Sequence, residues 1–339
     1  MQHLASDIAY NDPKLPDLKW MEDMTGLSYL GKVITLDKLR SGLHKLNDKV
    51  AQLLADLSGG ELLPCEIPDQ LNDAMSKDDI NYSFLNHHSF TNLHLGIVQN
   101  MFKVPEFNFS GIHVASSNEL ILDQHKMKNI LQVCAEINKL LMILVHTVSS
   151  QPPRASEEVD LRLRNGHRHR NIFLVLGKIW RVIHATKTEN ITKHSAFIPS
   201  VLPSEITQHL LYYLVHIRPL EIFLAEKVYD IQTKELYQEF LYVQMGKRVE
   251  PDQFSKAMSE EMEVHCGISL GVSEWRHIAI ALKRAFIHEL LYSNHTRQDV
   301  GDTAASHSTC MALLGCIGPF WSGKWGSRKW VRAGWHVPL

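Results

Sequence analysis

The chain has 339 residues, of which 45% are hydrophobic and 21% charged, and its formal net charge is −2. This composition is typical of a folded globular protein and excludes a collagenous or fully disordered chain. The longest apolar run, Leu140 to Val148, is far shorter than the ~20 residues that span a bilayer, so no membrane segment is expected. The first residues lack the basic flank and apolar stretch of a secretory signal peptide.

The first half of the chain predicts two long helices. Residues 1–30 have no strong periodicity and are expected to form a loosely ordered arm. Leucines recur at steps of four and three between Leu39 and Leu57, which predicts a helix that Gly59-Gly60 ends. Residues 118–148 predict a second long helix, which stops at the Pro-Pro pair of residues 152 and 153.

The second half predicts a hairpin followed by more helices. Two apolar runs on either side of Gly177, over residues 171–183, are typical of a β-hairpin. Helices are predicted from Pro203 to Lys227, with Pro219 as a candidate kink, and from residue 274 to residue 292. We therefore predict a mainly α fold with a small β-hairpin or three-stranded sheet.

Charge and cysteine content narrow the expected environment. Residues 1–150 carry a formal charge of −6 and residues 151–339 one of +4. Residues 151–193 alone carry +5, which is compatible with a surface for an anionic ligand or with a solvated face. The five cysteines are odd in number and none are spaced as CxxC, which favours a reducing compartment.

Four groups of polar residues in the second half occur in an order that suggests a catalytic site. Pro153-Arg154-Ala-Ser-Glu157 follows the long helix, Lys187 follows the hairpin, Arg276-His277 lies in a helix, and Ser306-His307 comes later. Two arginines, a hairpin lysine and a late histidine in this order resemble the tyrosine recombinase family over roughly residues 150–316.

Three further segments sharpen the resemblance. They read His169-Arg-Asn-Ile-Phe173, Tyr212-Tyr-Leu-Val-His-Ile-Arg-Pro219 and Trp275-Arg-His-Ile-Ala-Ile-Ala281. Together with the first arginine motif, they look like the recombinase-derived domains that fungi carry in Crypton-type mobile elements and beside RecQ-type helicase domains.

The resemblance implies a division of the chain. Residues 1–148 would form a helical, core-binding-like domain that packs over DNA. Residues 149–316 would form the recombinase-like catalytic domain, a member of the DNA breaking and rejoining class. Residues 317–339 would be an appended tail, rich in tryptophan and basic residues.

The resemblance also implies roles for the matched residues. Arg154 and Arg276 would clamp the reacting phosphate, since two guanidinium groups can stabilise the charge that builds on its non-bridging oxygens. Lys187 would donate a proton to the leaving 5′ oxygen, and His307, with His277, would assist proton transfer or orient the phosphate. A tyrosine would form the covalent phosphoryl link.

The chain departs from the family pattern at the nucleophile. The family's tyrosine follows the late histidine by about nine residues, where this chain has Cys316, and no tyrosine occurs after Tyr292. Ser273 stands where the family has its first histidine. We therefore expect a phosphate clamp whose catalysis is impaired. Cleavage through Cys316, or with a nucleophile supplied in trans, stays open, and so does the question of whether the chain is an enzyme.

The expected partner, by resemblance, is double-stranded DNA, and self-association on DNA is left open. Arg168, Arg170 and Lys193, in or at the end of the basic stretch, would add contacts to the DNA backbone. No cofactor or metal is expected, because His167 and His169 have no cysteine or carboxylate at ligand spacing nearby. The expected compartment is the nucleus, with the cytosol as the alternative.

A second function fits the same sequence. The chain could be a non-catalytic protein-interaction module from a helicase-linked mobile-element protein. The acidic charge of residues 1–150 favours this alternative, because DNA repels an acidic surface. Salt-sensitive DNA binding would distinguish the two.

Overall fold

The computed structural model describes residues 18–67, 71, 73–91, 93–110, 122–149, 152–185 and 196–292.

A small antiparallel sheet stands where the sequence predicts a loose arm. Its strands, in the order β1-β2-β3, are β1 (Lys19–Trp20), β2 (Gly26–Tyr29) and β3 (Lys32–Thr35). Leu27 and Ile34 pair across β2 and β3, and both side chains are buried. Because this pair joins the hydrophobic core, the segment is ordered despite its short strands, and the prediction of an arm is wrong from residue 19 onward.

Helix α1 (Leu36–Leu57) confirms the first predicted helix. The helix follows β3 directly and buries a stripe of leucines against the rest of the protein. It ends before Gly59 and Gly60, whose φ angles of 83° and 104° suit glycine because a side chain would strain this left-handed backbone. Two short 3₁₀ turns, Phe84–Asn86 and His88–Phe90, come before helix α2 (His94–Met101).

Helix α3 (Gln124–Thr147) lies at the centre of the fold and confirms the second predicted helix. Asp123 caps its start, where the carboxylate accepts hydrogen bonds from the backbone N–H groups of His125 and Lys126, both at 3.0 Å. Its length and composition would also suit a membrane span, but 78% of its most apolar window is buried inside the protein. The helix is therefore the core helix of this fold.

The predicted hairpin is part of a second three-stranded sheet. Helix α4 (Ala155–Val159) precedes it, and the strands, in the order β4-β5-β6, are β4 (Ile172–Val175), β5 (Lys178–Ala185) and β6 (Ala196–Val201). All neighbours are antiparallel. The β4–β5 turn is Leu176-Gly177 with φ of 51° and 70°, the backbone that a two-residue hairpin turn requires.

The third predicted helix is continuous but not uniform. Helix α5 (Ser204–Tyr212) passes through one π-helical turn, Tyr213–Ile217, into helix α6 (Arg218–Val228). The wider turn comes directly before Pro219, which cannot donate a backbone hydrogen bond to the preceding turn. The chain therefore accommodates the proline within the helix, at the position where the sequence suggests a kink.

Four elements between α6 and α9 were not predicted. These are helix α7 (Ile231–Glu239), the hairpin of β7 (Val243–Gln244) and β8 (Lys247–Arg248), and helix α8 (Pro251–Cys266). Helix α9 (Val272–Tyr292) then matches the last predicted helix.

One hydrophobic core cluster extends from Leu27 to Ile278. Helix α3 packs against α1, α5, α6 and α8, so residues on both sides of the predicted domain boundary at 148/149 contribute to that cluster. The mainly helical prediction with small sheets is confirmed.

Candidate functional site

Arg276 of α9 meets the segment that carries Arg154. The Nε atom of Arg276 donates a hydrogen bond of 3.0 Å to the carbonyl oxygen of Pro152, 124 positions earlier in the chain. Trp275 and Ile278, on the inner face of α9, are buried and fix the helix against the core. The two arginines that the sequence pairs therefore belong to neighbouring parts of the fold.

Arg154 is fixed at its backbone and free at its tip. It is the residue before α4, and its backbone N–H donates to the Glu157 carboxylate at 2.8 Å. The guanidinium lies 3.6 Å from the same carboxylate, and 42% of the side chain is exposed. A pair of this length and exposure holds a guanidinium weakly, so the charge of Arg154 remains available to a ligand.

A buried polar cluster lies beneath this segment, and it joins three elements. Glu158 of α4 accepts hydrogen bonds from Arg181 of β5 at 2.5 Å and from Tyr242 at 3.2 Å, and its Oε2 lies 3.0 Å from Nδ1 of His146 of α3. The side chains of His146, Glu158 and Arg181 are fully buried. The cluster fixes the end of α3, the helix that begins after Arg154, and the central strand of the sheet.

The pKa shifts give the charge state of this cluster. Burial raises the pKa of Glu158, but the positive charge of Arg181 and the hydrogen bonds from His146 and Tyr242 together lower it below its usual range. Burial also lowers the pKa of His146, and the nearby charges of Arg181 and Arg276 act in the same direction. The cluster therefore holds an ionised carboxylate, a guanidinium and a neutral imidazole at pH 7.

Some polar atoms of the cluster lack partners. Within the described residues, Nε2 of His146 and both Nε and Nη2 of Arg181 are buried and make no hydrogen bond. The cluster was not predicted from the sequence. A signal was present, since Ile179, Arg181 and Ile183 share one face of β5 and both isoleucines are buried. A charged residue in that pattern indicates a buried ion pair.

His277 and Ser273 lie four residues apart on one face of α9. Nδ1 of His277 is 2.6 Å from the Tyr29 hydroxyl, so this histidine holds α9 to β2. Ser273 is exposed and lies three residues before Arg276, on the same face of the helix. Ser273 therefore neighbours both Arg276 and His277 on the surface of α9.

Arg170 lies in the interior and is not available to a DNA surface, contrary to its prediction. Only 1% of its side chain is exposed, and Nη2 donates to Asp73 at 2.8 Å. Its guanidinium also stacks on the rings of Tyr82 and Phe173, at 4.6 and 4.5 Å from their centres. The basic stretch is thus less basic on the surface than its sequence suggests. Arg168, by contrast, is 74% exposed.

Several predicted residues lie outside the described residues. They are Lys187, Lys193, His307 and Cys316, together with the tail of residues 317–339.

Neither a metal site among the described residues nor a family match supports the site further. Among residues 18–292, as far as they are described, no three His, Cys, Asp or Glu side chains converge as metal ligands do. No family model matches the sequence, and no solved structure matches the fold. The resemblance to tyrosine recombinases therefore stays a prediction based on the residues named above.

Buried histidines predict acid-sensitive stability. Burial lowers the pKa of His94, His146, His209 and His216 below the usual value. In the unfolded chain these histidines are protonated near pH 6.5, whereas in the folded protein they are protonated only at lower pH. The free energy of unfolding is therefore highest above that pH and declines below it. We expect the urea midpoint to fall as the pH is lowered from about 7.5 to 5.5. In His146→Gln the midpoint should depend less steeply on pH. An equal slope in that variant would contradict the assignment.

Proposed function

We propose that this protein binds double-stranded DNA through a phosphate clamp formed by Arg154 and Arg276. The proposal extends to a tyrosine-recombinase-like ancestry with impaired strand cleavage, since Cys316 stands where the family has its tyrosine nucleophile. The observation that carries the proposal is the hydrogen bond from Arg276 to the carbonyl oxygen of Pro152. It joins the two predicted arginine motifs in space.

The charges around the clamp favour an anion. Among the described residues, Arg276 forms no ion pair, and Arg154 has only the long pair with Glu157. Glu158, the buried carboxylate of α4, is directed to Arg181 and His146. Two guanidinium groups that share so little local negative charge can each donate paired hydrogen bonds to a phosphate.

The scaffold behind the clamp supports precise positioning. The buried cluster of His146, Glu158, Arg181 and Tyr242 holds α4 against α3 and β5, and the Tyr29–His277 contact holds α9. A site whose side chains arise from such fixed elements loses little conformational entropy when it binds a ligand. In the sequence, Lys187 comes two positions after the last residue of β5, and the resemblance would make it the hairpin lysine.

Binding to a mixed-sequence duplex across a salt series tests the proposal. We expect Arg154→Ala/Arg276→Ala to weaken binding about a hundredfold, since each lost charge-assisted hydrogen bond costs ~1.5 kcal/mol or more. The slope of log K against log salt should fall by about two, one for each phosphate contact.

A matched control removes two charges elsewhere. Lys103 and Lys128 are exposed, and Lys128 lies near the start of α3, about 28 Å along the helix from its end at 1.5 Å per residue. Lys103→Ala/Lys128→Ala should bind as the parent protein does. Equal weakening in both double variants would indicate a diffuse charge effect, and no binding by a folded parent protein would leave the protein-interaction module as the better hypothesis.

A further inference from the structure

A second, separate cleft lies beside the π-helical turn. Its volume is about 230 Å³, and its walls come from that turn, α6, α7 and the segments near residues 81–90 and 163–164. None of Arg154, Arg276 or the buried cluster beneath them lines it. π-helical turns inside α-helices occur frequently at functional sites.

The walls of the cleft are cationic and polar. Arg164 and Arg218 line it, together with Ser83, Asn86 and Gln238, and no carboxylate does among the described residues. The only described hydrogen-bond partner of the Arg164 guanidinium is the amide oxygen of Gln238, at 3.0 Å. The positive charge of Arg164 is therefore not neutralised within the cleft.

Arg218 is buried but incompletely satisfied. Only 1% of the residue is exposed. Its Nη2 donates to the carbonyl oxygen of Leu241 at 2.6 Å, and its Nε lies 3.3 Å from the Glu221 carboxylate, which does not line the cleft. Its Nη1 has no hydrogen-bond partner among the described residues. A buried guanidinium donor without a partner is costly, and such donors in native proteins are normally satisfied by a ligand or water.

We propose that this cleft binds a small oxyanion, either a phosphate or a carboxylate compound, through Arg164 and Arg218. Ser83 and Asn86 can add neutral hydrogen bonds. A cleft of about 230 Å³ has room for a small ligand of several non-hydrogen atoms. Pyrophosphate and malonate have the right charge and approximate size. Pyrophosphate represents the phosphate compounds, and malonate represents the carboxylate compounds.

Calorimetric titration and thermal unfolding with each compound test the proposal. We expect at least one of them to bind and to raise the melting temperature with concentration. Arg164→Ala should weaken that binding at least tenfold. Because Arg218 is buried, its removal could prevent folding, so Ile222→Trp provides the second variant. Ile222 is half-buried and lines the cleft, and a tryptophan there fills the site without changing charge.

Two controls separate this cleft from the proposed DNA clamp. Arg168→Ala removes an exposed arginine outside the cleft, and Arg154→Ala/Arg276→Ala removes the clamp. Both variants should keep the parent affinity. Binding that is lost only in the clamp variant, binding that falls equally in Arg164→Ala and Arg168→Ala, or no binding of either compound would each overturn the proposal. A preference for one of the two compounds shows whether the cleft binds a phosphate or a carboxylate.

Discussion

Arg170→Ala is expected to lower the free energy of unfolding by about 3–5 kcal/mol, because it leaves the Asp73 carboxylate as an uncompensated buried charge. Asp73 is fully buried and lies 2.8 Å from the guanidinium. The same guanidinium satisfies the carbonyl oxygens of Ala74 and Lys77, at 3.0 and 2.8 Å, and these acceptors would also lose their donor. Urea unfolding followed by circular dichroism measures the loss.

Arg168 offers the matched control. It lies two positions earlier, carries the same charge, and is 74% exposed beside Asp160. Arg168→Ala should cost less than about 1 kcal/mol, as surface ion pairs do. In the double variant Arg170→Ala/Asp73→Asn, part of the stability should return, because the buried negative charge is also removed. Similar costs for Arg168→Ala and Arg170→Ala would show that Arg170 is not the buried partner of Asp73.

Glu158→Gln is expected to destabilise the protein by a similar amount, about 3–5 kcal/mol. The substitution keeps the size of the side chain but removes the only carboxylate that Arg181 contacts among the described residues. Arg181 would then be a fully buried cation without a counter-ion. The substitution would also provide no hydrogen-bond acceptor for its two unpartnered nitrogen atoms. Chemical unfolding at pH 7 provides the measurement.

Substitution of the neighbouring Glu157 is the control for Glu158→Gln. It tests whether the loss of stability comes from the buried ion pair or from the loss of any acidic side chain in α4. Glu157 is half-buried, and its carboxylate accepts the backbone N–H of Arg154. Glu157→Gln retains an oxygen acceptor there, so it should cost no more than about 1 kcal/mol. Glu158→Gln/Arg181→Met removes both charges and should be more stable than Glu158→Gln alone. If the double variant were less stable, the cluster would not act as an ion pair.

The sequence predicts those parts of the fold whose signals are local. The leucine stripe of α1, the apolar length of α3, and the runs flanking Gly177 are each readable within about twenty residues. Helix α8 carried a weaker signal of the same kind, since Phe254, Met258, Met262 and Cys266 recur at steps of four and are buried. The β1–β3 sheet could not be predicted, because its short strands are ordered by packing against distant elements.

The residues of the candidate site also differ in whether a local sequence pattern identifies them. Arg154 and Arg276 stand in recognisable local motifs, and the structure brings those motifs together. The error at Arg170 has a long-range cause, because its partner Asp73 precedes it by 97 positions and no local pattern links them. The pattern of β5 marks Arg181 as buried, but its partners His146 and Glu158 lie on other elements, so the cluster as a whole went unpredicted. Local sequence identifies a charged residue but not whether its counter-ion comes from another element.

The hydrogen bond between Arg276 and Pro152 also has a consequence for synthesis on the ribosome. At 5–20 residues per second, Arg276 is made about 6–24 seconds after Arg154. During that interval α4 and the β4–β6 sheet are complete in sequence, but the carbonyl of Pro152 lacks its donor and Tyr29 lacks His277. The nascent chain thus carries one guanidinium of the pair without the other. The contact between Arg276 and Pro152, on which the proposed clamp depends, is therefore a late product of translation, and the growing chain passes most of its synthesis without it.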